Sequence, residues 1–230
     1  MKAFILAAGR GLRLRPLTDT LPKPLLPAGG KPLIVWHLER LAVSGFKEIV
    51  INHAHLGDQI EAALGDGRRF GVNIRYSPEP PGALETAGGI ASALPLLGDD
   101  AFLVVNGDIW CDWDFRRAYA LAARHAHLVL VDNPREHARG DFCLDGATAR
   151  YASAATGPTL TYAGIGVFAP DFFAGVPPGA VMKMRPLLDA GIAQGIVTGE
   201  HHRGRWVDVG TPERLAELDQ ELSIQLSRHP

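Results

Sequence analysis

The stretch that decides the fold of this 230-residue chain is MKAFILAAGRGLRLRPLTDTLPKPLL, residues 1–26. Residues 2–8 are predicted to form a short buried strand, and a glycine-rich turn follows at residues 9–11. Backbone N–H groups at such a turn can approach an anion closely. Arg13, Arg15 and Lys23 come next and could hold several phosphate oxygens at once. The segment therefore predicts a strand that leads into a phosphate-binding turn.

Spacing excludes two common phosphate-binding motifs at this turn. The Walker pattern GxxxxGK[ST] is not matched. A dinucleotide fingerprint needs a third glycine where Leu14 stands, and an acidic residue at the end of the second strand, which here ends in Asn52 and His53. Two alternatives remain open on local composition: a triphosphate site of another kind, and a strand followed by a solvated basic loop.

Composition excludes several classes of partner. Hydrophobic residues make up 47% of the 230-residue chain, which predicts one large domain. The formal net charge of −2 gives no indication of binding to nucleic acid or to an anionic membrane surface. Apolar runs are shorter than a membrane span, and the N-terminus lacks the parts of a signal peptide. The two cysteines, Cys111 and Cys143, have neither disulfide-framework nor metal-ligand spacing. We therefore expect a reduced, cytoplasmic protein.

Strand patterns alternate with helical patterns along the whole chain. This alternation predicts an α/β fold, a Rossmann-like and mostly parallel sheet with helices on both faces. Residues 142–144 and 160–168 are predicted to form a small β-ribbon insertion. A compact helix should close the chain after Thr211 and Pro212, a good N-cap followed by a good first helical residue.

Two aspartates follow or interrupt predicted strands. Asp108 comes directly after a buried strand at residues 102–105, and ligands of parallel sheets bind beyond the carboxyl ends of strands. An Asp at that edge is a natural magnesium ligand, although the preceding Asn-Gly is also a common tight turn. Asp208 lies between two valines, an anomalous position for a carboxylate, and from the local pattern it could simply be an exposed residue of an edge strand.

The segment LETAGG at residues 84–89 is predicted to open a helix that runs to residue 94. Helix N-termini bind anions, and the paired glycines allow close approach of a flat ligand. An ordinary junction between a loop and a helix is the alternative.

Together these motifs resemble those of the sugar-1-phosphate nucleotidylyltransferases. The resemblance rests on LAAGxGxRLxPLT at residues 6–18, PKPL at 22–25, the loop at 84–89, the strand ending in Asp108, and WxDxGTPE at 206–213. It implies the nucleotide-diphospho-sugar transferase fold in a single domain over residues 1–230. Residues 1–110 would mainly bind nucleotide and residues 111–230 mainly sugar. No glycine-spaced hexapeptide repeat follows, so no appended left-handed β-helix is expected.

The family resemblance implies a reaction and a role for each motif. An oxygen of a sugar 1-phosphate attacks the α-phosphorus of a nucleoside triphosphate, and pyrophosphate leaves. Arg13 would neutralise the leaving phosphates and Lys23 the α-phosphate, while Asp108 and Asp208 would bind Mg²⁺. Nucleotide contacts are expected from Ala8, Gly9, Arg10, Gly11, Arg13, Lys23, Glu79, Glu85, Gly88 and Asn106. Sugar contacts are expected from Gly140, Asp141, Thr161 and Gly164.

The sequence departs from the family pattern at two places. Glu85 stands where the family usually has glycine. Between Asp141 and Thr161 there is no lysine, whereas many relatives bind the sugar phosphate through the lysine of a Glu-Lys-Pro step. Another cation or the metal must then neutralise that phosphate, and the sequence does not choose among the available basic residues Arg139, Arg150, Lys183 and Arg203.

The compact chain, with INHA at 51–54, LETAGG at 84–89 and RGDF at 139–142, is most similar to the N-acetylmuramate α-1-phosphate uridylyltransferases of cell-wall recycling. The resemblance implies UTP and N-acetylmuramic acid 1-phosphate as substrates. Mannose-1-phosphate guanylyltransferases, other sugar-1-phosphate uridylyl- or thymidylyltransferases and a non-catalytic nucleotide-binding module are the alternatives. A carboxylate at Glu79 could accept a hydrogen bond from uracil, thymine or guanine, so it does not choose the base. A monomer is expected.

Overall fold

The computed structural model describes residues 1–122, 125–154 and 157–228. Its helices are α1 (Leu17–Thr20), α2 (Leu33–Val43), α3 (Gly57–Leu64), α4 (Glu85–Leu97), α5 (Arg185–Ala193) and α6 (Pro212–Arg228). Its strands are β1 (Ala3–Leu6), β2 (Pro27–Ala28), β3 (Lys31–Pro32), β4 (Glu48–His53), β5 (Asn73–Pro78), β6 (Phe102–Asn106), β7 (Ile109–Cys111), β8 (Ala126–Val131), β9 (Phe142–Asp145), β10 (Thr148–Tyr151), β11 (Thr161–Phe168), β12 (Val197–His201) and β13 (Trp206–Asp208).

The apolar run near the N-terminus is a central strand of the main sheet. Nine strands form this sheet in the order β5-β4-β1-β6-β11-β8-β12-β10-β9. β1 pairs in parallel with β4 on one side and with β6 on the other. Ala3, Phe4 and Ile5 are fully buried, as expected for a strand that is covered on both faces. Since only β10 and β11 run against the other strands, the prediction of a mostly parallel sheet is confirmed.

Helices cover both faces of the sheet, as predicted. Successive side chains of a strand point to opposite faces, so Ala3 and Ile5 pack in a core with Ile34 and Leu38 of α2. Phe4 packs in a second core on the other face with Ile90 and Leu97 of α4, among others. The sheet therefore has a hydrophobic core on each side, and its strand ends are the places where polar residues can meet a ligand.

The predicted β-ribbon insertion is wrong for residues 160–168. This segment is β11, which lies inside the main sheet, antiparallel to β6 and to β8. The small ribbon that does exist is the hairpin of β9 and β10. An isolated bridge between Phe142 and Leu160 connects β9 to the start of β11. Local patterning misses the position of β11 because both of its partners come from far earlier in the chain.

The last motif folds back onto the end of β6. β13 pairs antiparallel with β7 in a separate two-stranded sheet, where Asp208 lies opposite Ile109. The N–H of Val209 donates to the carbonyl of Asp108 at 3.0 Å. α6 then packs its Leu215, Leu218 and Leu222 in a third core that also holds Leu14 and Val209. The N-terminal turn and the C-terminal motif are thus fixed to each other by one apolar cluster.

Among the helices in the described ranges, none combines the length and the apolar character that crossing a membrane requires.

Candidate active site

A cleft of about 330 Å³ opens at the carboxyl ends of β1, β4 and β6. This is the edge where a parallel sheet binds its ligands. The predicted nucleotide and catalytic residues that line it are Ala8, Gly9, Arg10, Lys23, Glu79, Glu85, Asn106 and Asp108. Gly11, Arg13 and Gly88 were also predicted to touch the nucleotide, but they do not belong to its lining.

The turn after β1 presents backbone to the cleft. A Cβ on Gly9 would have no neighbouring heavy atom within 4 Å, so this position faces open space. Gly11 has a φ of +63°, and a Cβ there would lie 2.9 Å from Thr18 Cγ2 and 3.2 Å from Lys23 Cβ. Glycine is therefore required at 11 both for the left-handed backbone and for the close approach of Lys23. Gly11 therefore lies outside the lining of the cleft but allows Lys23, which belongs to it, to pack closely.

Lys23 and Asp108 form an ion pair inside the cleft. Lys23 Nζ donates to Asp108 Oδ2 at 2.7 Å, and the lysine side chain is buried while the aspartate is half-buried. Burying a lysine is costly unless its charge is paired. The pair keeps both charges in place on the lining of the cleft.

Asn52, at the end of β4, ties the two sides of the cleft together. This side chain is buried; its Oδ1 accepts the N–H of Ala7 at 2.7 Å, and its Nδ2 donates to Glu79 Oε1 at 2.6 Å. Glu79 Oε2 in turn accepts the N–H of Leu84 at 2.7 Å. Glu79 thus lines the cleft while both of its oxygens already bind the protein. The sequence reasoning missed Asn52, although it ends an apolar strand in the same way as Asn106.

The loop before α4 has an unusual backbone. Glu85 has a φ of +60°, the left-handed conformation that glycine adopts without strain, which explains why the family usually has glycine there. The predicted anion site at the start of α4 is already used by the chain, because the N–H groups of Ala87 and Gly88 donate to the carbonyl of Met182. A Cβ on Gly88 would lie 2.0 Å from the carbonyl oxygen of Ala180.

A second cavity of about 210 Å³ adjoins the first. Asn106 and Asp108 line both cavities. Asp208, Thr161 and Gly164, all predicted from the sequence, also line the second one. The structure therefore brings Asp108 and Asp208 to the same space although they are a hundred positions apart. Further lining comes from Ile109, Pro134, Glu136, His137, Tyr162, Ala163 and Trp206.

Gly140 and Asp141, predicted to contact sugar, lie behind this lining. Asp141 Oδ2 accepts the N–H of Tyr162 at 2.9 Å, and its Oδ1 lies 2.9 Å from His137 Nε2. Gly140 has a φ of +61°, and a Cβ there would lie 2.5 Å from Asn133 Oδ1. Asp141 therefore holds two residues of the lining, Tyr162 and His137, in place, and Gly140 allows Asn133 to approach the backbone closely.

Arg214 of α6 holds Asp208. Its Nη1 donates to Asp208 Oδ2 at 2.9 Å, and its Nη2 lies 2.7 Å from Glu136 Oε1. Arg13 also approaches this point, since a Cβ on Gly210 would lie 3.0 Å from Asp208 Oδ2 and 3.1 Å from Arg13 Nη2. The sequence reasoning assigned no role to Arg214.

A buried histidine supports the strand that leads away from Asp108. His37 Nε2 lies 2.9 Å from the carbonyl oxygen of Ile109, which can only accept, so the ring carries its hydrogen on Nε2. Burial, reinforced by the nearby charge of Arg40, lowers the pKa of His37 to about 4. His37 is therefore neutral near pH 7.

Cys111, Asp112 and His202 form a separate cluster, with one possible ligand atom from each within 4.8 Å of the others. The sequence spacing gave no sign of it. His202 Nε2 already lies 2.7 Å from Asp112 Oδ1. Burial raises the pKa of the Cys111 thiol to about 11, so the sulfur stays protonated near pH 7. Asp112 and His202 therefore satisfy each other, while Cys111 Sγ accepts the N–H of Trp113 at 3.4 Å.

The oxygen donors of the main site suit a hard divalent cation. Asp108 and Asp208 are carboxylates on one cavity, and Mg²⁺ is typically bound by one or two carboxylates together with phosphate oxygens and water. Lys23 and Arg214 occupy the two carboxylates in this structure. An α/β sheet with a glycine turn, a lysine and two carboxylates at its binding edge is typical of proteins that bind nucleotides and act on phosphates.

Residues 2–142 match the family model described as nucleotidyl transferase, and the chain belongs to that family. It is 56% identical over 222 residues to an N-acetylmuramate alpha-1-phosphate uridylyltransferase of Neisseria meningitidis serogroup B, covering 94% of this chain and 96% of the relative. A protein of the same name from Caulobacter vibrioides is 34% identical over 235 residues, covering 96% of each chain. The crystal structure of HddC from Yersinia pseudotuberculosis complexed with GMP-PN has a TM-score of 0.78 at 20% identity, covering 96% of this chain and 98% of HddC. That structure is similar in fold.

Proposed function

We propose that this chain transfers the uridylyl group of UTP to N-acetylmuramic acid α-1-phosphate, which gives UDP-N-acetylmuramic acid and pyrophosphate. The names of the two full-length uridylyltransferase relatives support the choice of base and sugar. The single observation that carries the proposal is that Asp108 and Asp208 line one cavity, which adjoins the cleft formed by the glycine turn and Lys23.

The two cavities support a division of labour along the chain. The first is lined from Leu6 to Asp108 and the second from Asn106 to Asp208. We infer that the triphosphate occupies the first and the sugar phosphate the second, so that residues 1–110 mainly hold nucleotide and residues 111–230 mainly hold sugar. Asn106 and Asp108, which are common to both cavities, then mark the point of transfer.

The chemistry needs charge neutralisation and alignment more than a general base. The sugar phosphate is already anionic near neutral pH, and it must attack in line at an α-phosphorus that carries its own negative charge. Catalysis of this kind rests on positioning and on preorganised positive charge. Lys23 would receive the α-phosphate; this is supported by its buried side chain, which lines the first cavity and donates to Asp108, a residue that lines both cavities.

Asp108 and Asp208 would hold Mg²⁺. When bound, the cation would neutralise the α-phosphate and the attacking phosphate. Both carboxylates line the second cavity and would hold the cation there. Lys23 and Arg214 keep the two carboxylates paired in the absence of the cation.

A pyrophosphate-release assay with Mg²⁺ tests the proposal. Purified protein is offered UTP, GTP and dTTP, each with the 1-phosphates of N-acetylmuramic acid, N-acetylglucosamine, mannose and glucose. We expect turnover to be highest with UTP and N-acetylmuramic acid 1-phosphate. Turnover with GTP and mannose 1-phosphate, but none with UTP and N-acetylmuramic acid 1-phosphate, would refute it. Protein that binds UTP and turns over no pair would instead be a non-catalytic module.

A further inference from the structure

The second cavity carries more negative charge than a site for an anion should. Asp108, Asp208 and Glu136 all line it. A phosphate monoester brings about 1.5 to 2 further negative charges near pH 7. Carboxylates that line a cavity repel a phosphate bound in it, and this repulsion disfavours binding unless cations compensate the charges. Lys23 pairs with Asp108, and a Mg²⁺ held by Asp108 and Asp208 would together with it balance only the three carboxylates, so the charge of the phosphate itself calls for a further cation.

Arg214 is the cation that Asp208 and Glu136 both contact. One nitrogen of its guanidinium donates to Asp208 and the other lies within ion-pair distance of Glu136, at 2.9 and 2.7 Å. Its Nη1 also reaches the backbone carbonyl of Asp208 at 3.3 Å. The forked guanidinium makes such a double contact possible, whereas an ammonium is a single point charge.

The position of Arg214 in its helix argues against a merely helical role. α6 begins at Pro212, so Arg214 lies in the first turn, where the helix dipole disfavours a positive charge. The backbone N–H of Arg214 is 3.4 Å from Thr211 Oγ1, the N-cap oxygen. A cation at this unfavourable end is explained by the two carboxylates that it holds.

None of the cations that the sequence left open takes this position. Like Arg214 itself, Arg139, Arg150, Lys183 and Arg203 do not line either cavity, but in the described part of the chain the recorded ion pairs of Asp208 and Glu136 are both with Arg214. Arg150 pairs instead with Asp145 on the β9–β10 hairpin.

We propose that Arg214 supplies the positive charge on the sugar side of the site, the role that the family resemblance assigns to a mid-chain lysine which this chain lacks. It acts through Asp208 and Glu136, and it is therefore a positioning residue: it orients the predicted metal ligand and lowers the negative potential of the cavity. This inference rests on the proposed function, since it requires the second cavity to bind a sugar phosphate.

The test compares Arg214→Met with Arg68→Met, an exposed arginine that pairs with Asp66 away from the cleft. We expect Arg214→Met to raise the KM for the sugar 1-phosphate by about 10- to 100-fold, the range set by one hydrogen bond to a charged group. The dissociation constant of α,β-methylene-UTP with Mg²⁺ should change by less than about threefold, or ~0.65 kcal/mol. Arg68→Met should change neither constant.

A charge-balance experiment separates neutralisation from mere support of the fold. If Arg214 compensates excess negative charge, adding Glu136→Gln to Arg214→Met should lower the raised KM by about threefold or more. The reason is that Glu136→Gln removes a carboxylate that repels the sugar phosphate. A purely structural role predicts that the double variant is no better than Arg214→Met. Calorimetric titration of N-acetylmuramic acid 1-phosphate into protein saturated with Mg²⁺ and α,β-methylene-UTP should show the same order of affinities without turnover.

Two outcomes overturn the inference: an unchanged sugar KM in Arg214→Met, and a double variant without rescue. If thermal melting shows that Arg214→Met does not fold, Arg214→Lys carries the test. Lysine keeps the charge but cannot hold both carboxylates, so the sugar KM should still increase several-fold, and an unchanged KM again overturns the inference. The assays use whichever sugar 1-phosphate the wild type accepts. Wild type that turns over no sugar phosphate refutes the proposed function, whereas an active wild type with an indifferent Arg214→Met refutes only this inference.

Discussion

Replacing Asn52 by leucine should loosen the nucleotide cleft from its buried side. Asn52 is 1% exposed, and its amide makes two hydrogen bonds that connect β1 to the loop before α4. Leucine has nearly the same shape but no polar atom. The N–H of Ala7, which follows β1, would lose its acceptor. Glu79 Oε1 would lose its donor, although Glu79 would remain half-buried.

The magnitude follows from the two orphaned groups. A buried donor or acceptor left without a partner costs about 1–3 kcal/mol, and more when it is charged. Two such groups give about 3–5 kcal/mol, reduced somewhat because Glu79 is near solvent and keeps its bond from Leu84. For a chain of this size about 1 kcal/mol shifts Tm by roughly 2–4 °C, so we expect a decrease on the order of 10 °C.

Thermal and urea unfolding measure the loss, and Asn73→Leu is the matched control. Asn73 lies on the neighbouring strand β5, and its exposed amide reaches Glu48 at 3.3 Å, so its replacement should shift Tm by less than about 2 °C. Asn52→Asp separates the two hydrogen bonds. It keeps an acceptor for Ala7 but sets a carboxylate against Glu79, and it should raise the KM for UTP. A Tm for Asn52→Leu within about 2 °C of wild type would refute the argument.

Three further outcomes follow from single side chains. Lys23→Ala should lower kcat by about 10²–10³-fold, the effect of deleting one preorganised group, and a variant that keeps more than a tenth of wild-type turnover in the pyrophosphate assay would contradict that role. Glu85→Gly should be more stable than Glu85→Ala by about 1–2 kcal/mol in urea unfolding, because only alanine keeps a side chain at a φ of +60°; equal stabilities would count against strain there. Since the folded pKa of His37 is lowered from 6.5 to about 4, the unfolded chain binds the extra proton first as pH falls. Wild type should therefore lose about 3 kcal/mol of stability between pH 7 and pH 4 from this group, and His37→Gln should show a correspondingly shallower pH dependence.

Local pattern predicted the elements of the sheet better than their arrangement. Residues 102–105 read as a buried strand because four apolar residues stand between turn signals, and β6 is that strand. β11 carries an equally clear pattern, yet its pairing with β6 and β8 depends on strands that are roughly 30 to 60 positions earlier. The pattern of a strand does not specify its partners, so a ribbon and a central strand are indistinguishable at that level.

The same limit applies to the polar residues around the site. Asp108 stood out because it follows a buried strand, and Asp208 because a long motif surrounds it. Asn52 also ends a buried strand, and Arg214 is a cation in the first turn of a helix, where the dipole disfavours it. Both were visible irregularities. Their partners could not be predicted, because Glu79 lies in a loop and Glu136 in a short 3₁₀ helix, and the positions of both depend on the folded chain.

Gly88 and Gly89 show what a glycine in a functional motif does and does not indicate. The paired glycines led to the prediction that a flat ligand approaches the backbone closely at this point. The approaching groups belong to the protein: a Cβ on Gly88 would meet the Ala180 carbonyl, and one on Gly89 would lie 2.4 Å from Glu79 Oε1. The glycines therefore let the loop at 180–182 and the pair of Asn52 and Glu79 pack against α4. The motif contributes to the shape of the cleft, because it fixes where Glu79 and the left-handed residue Glu85 can lie.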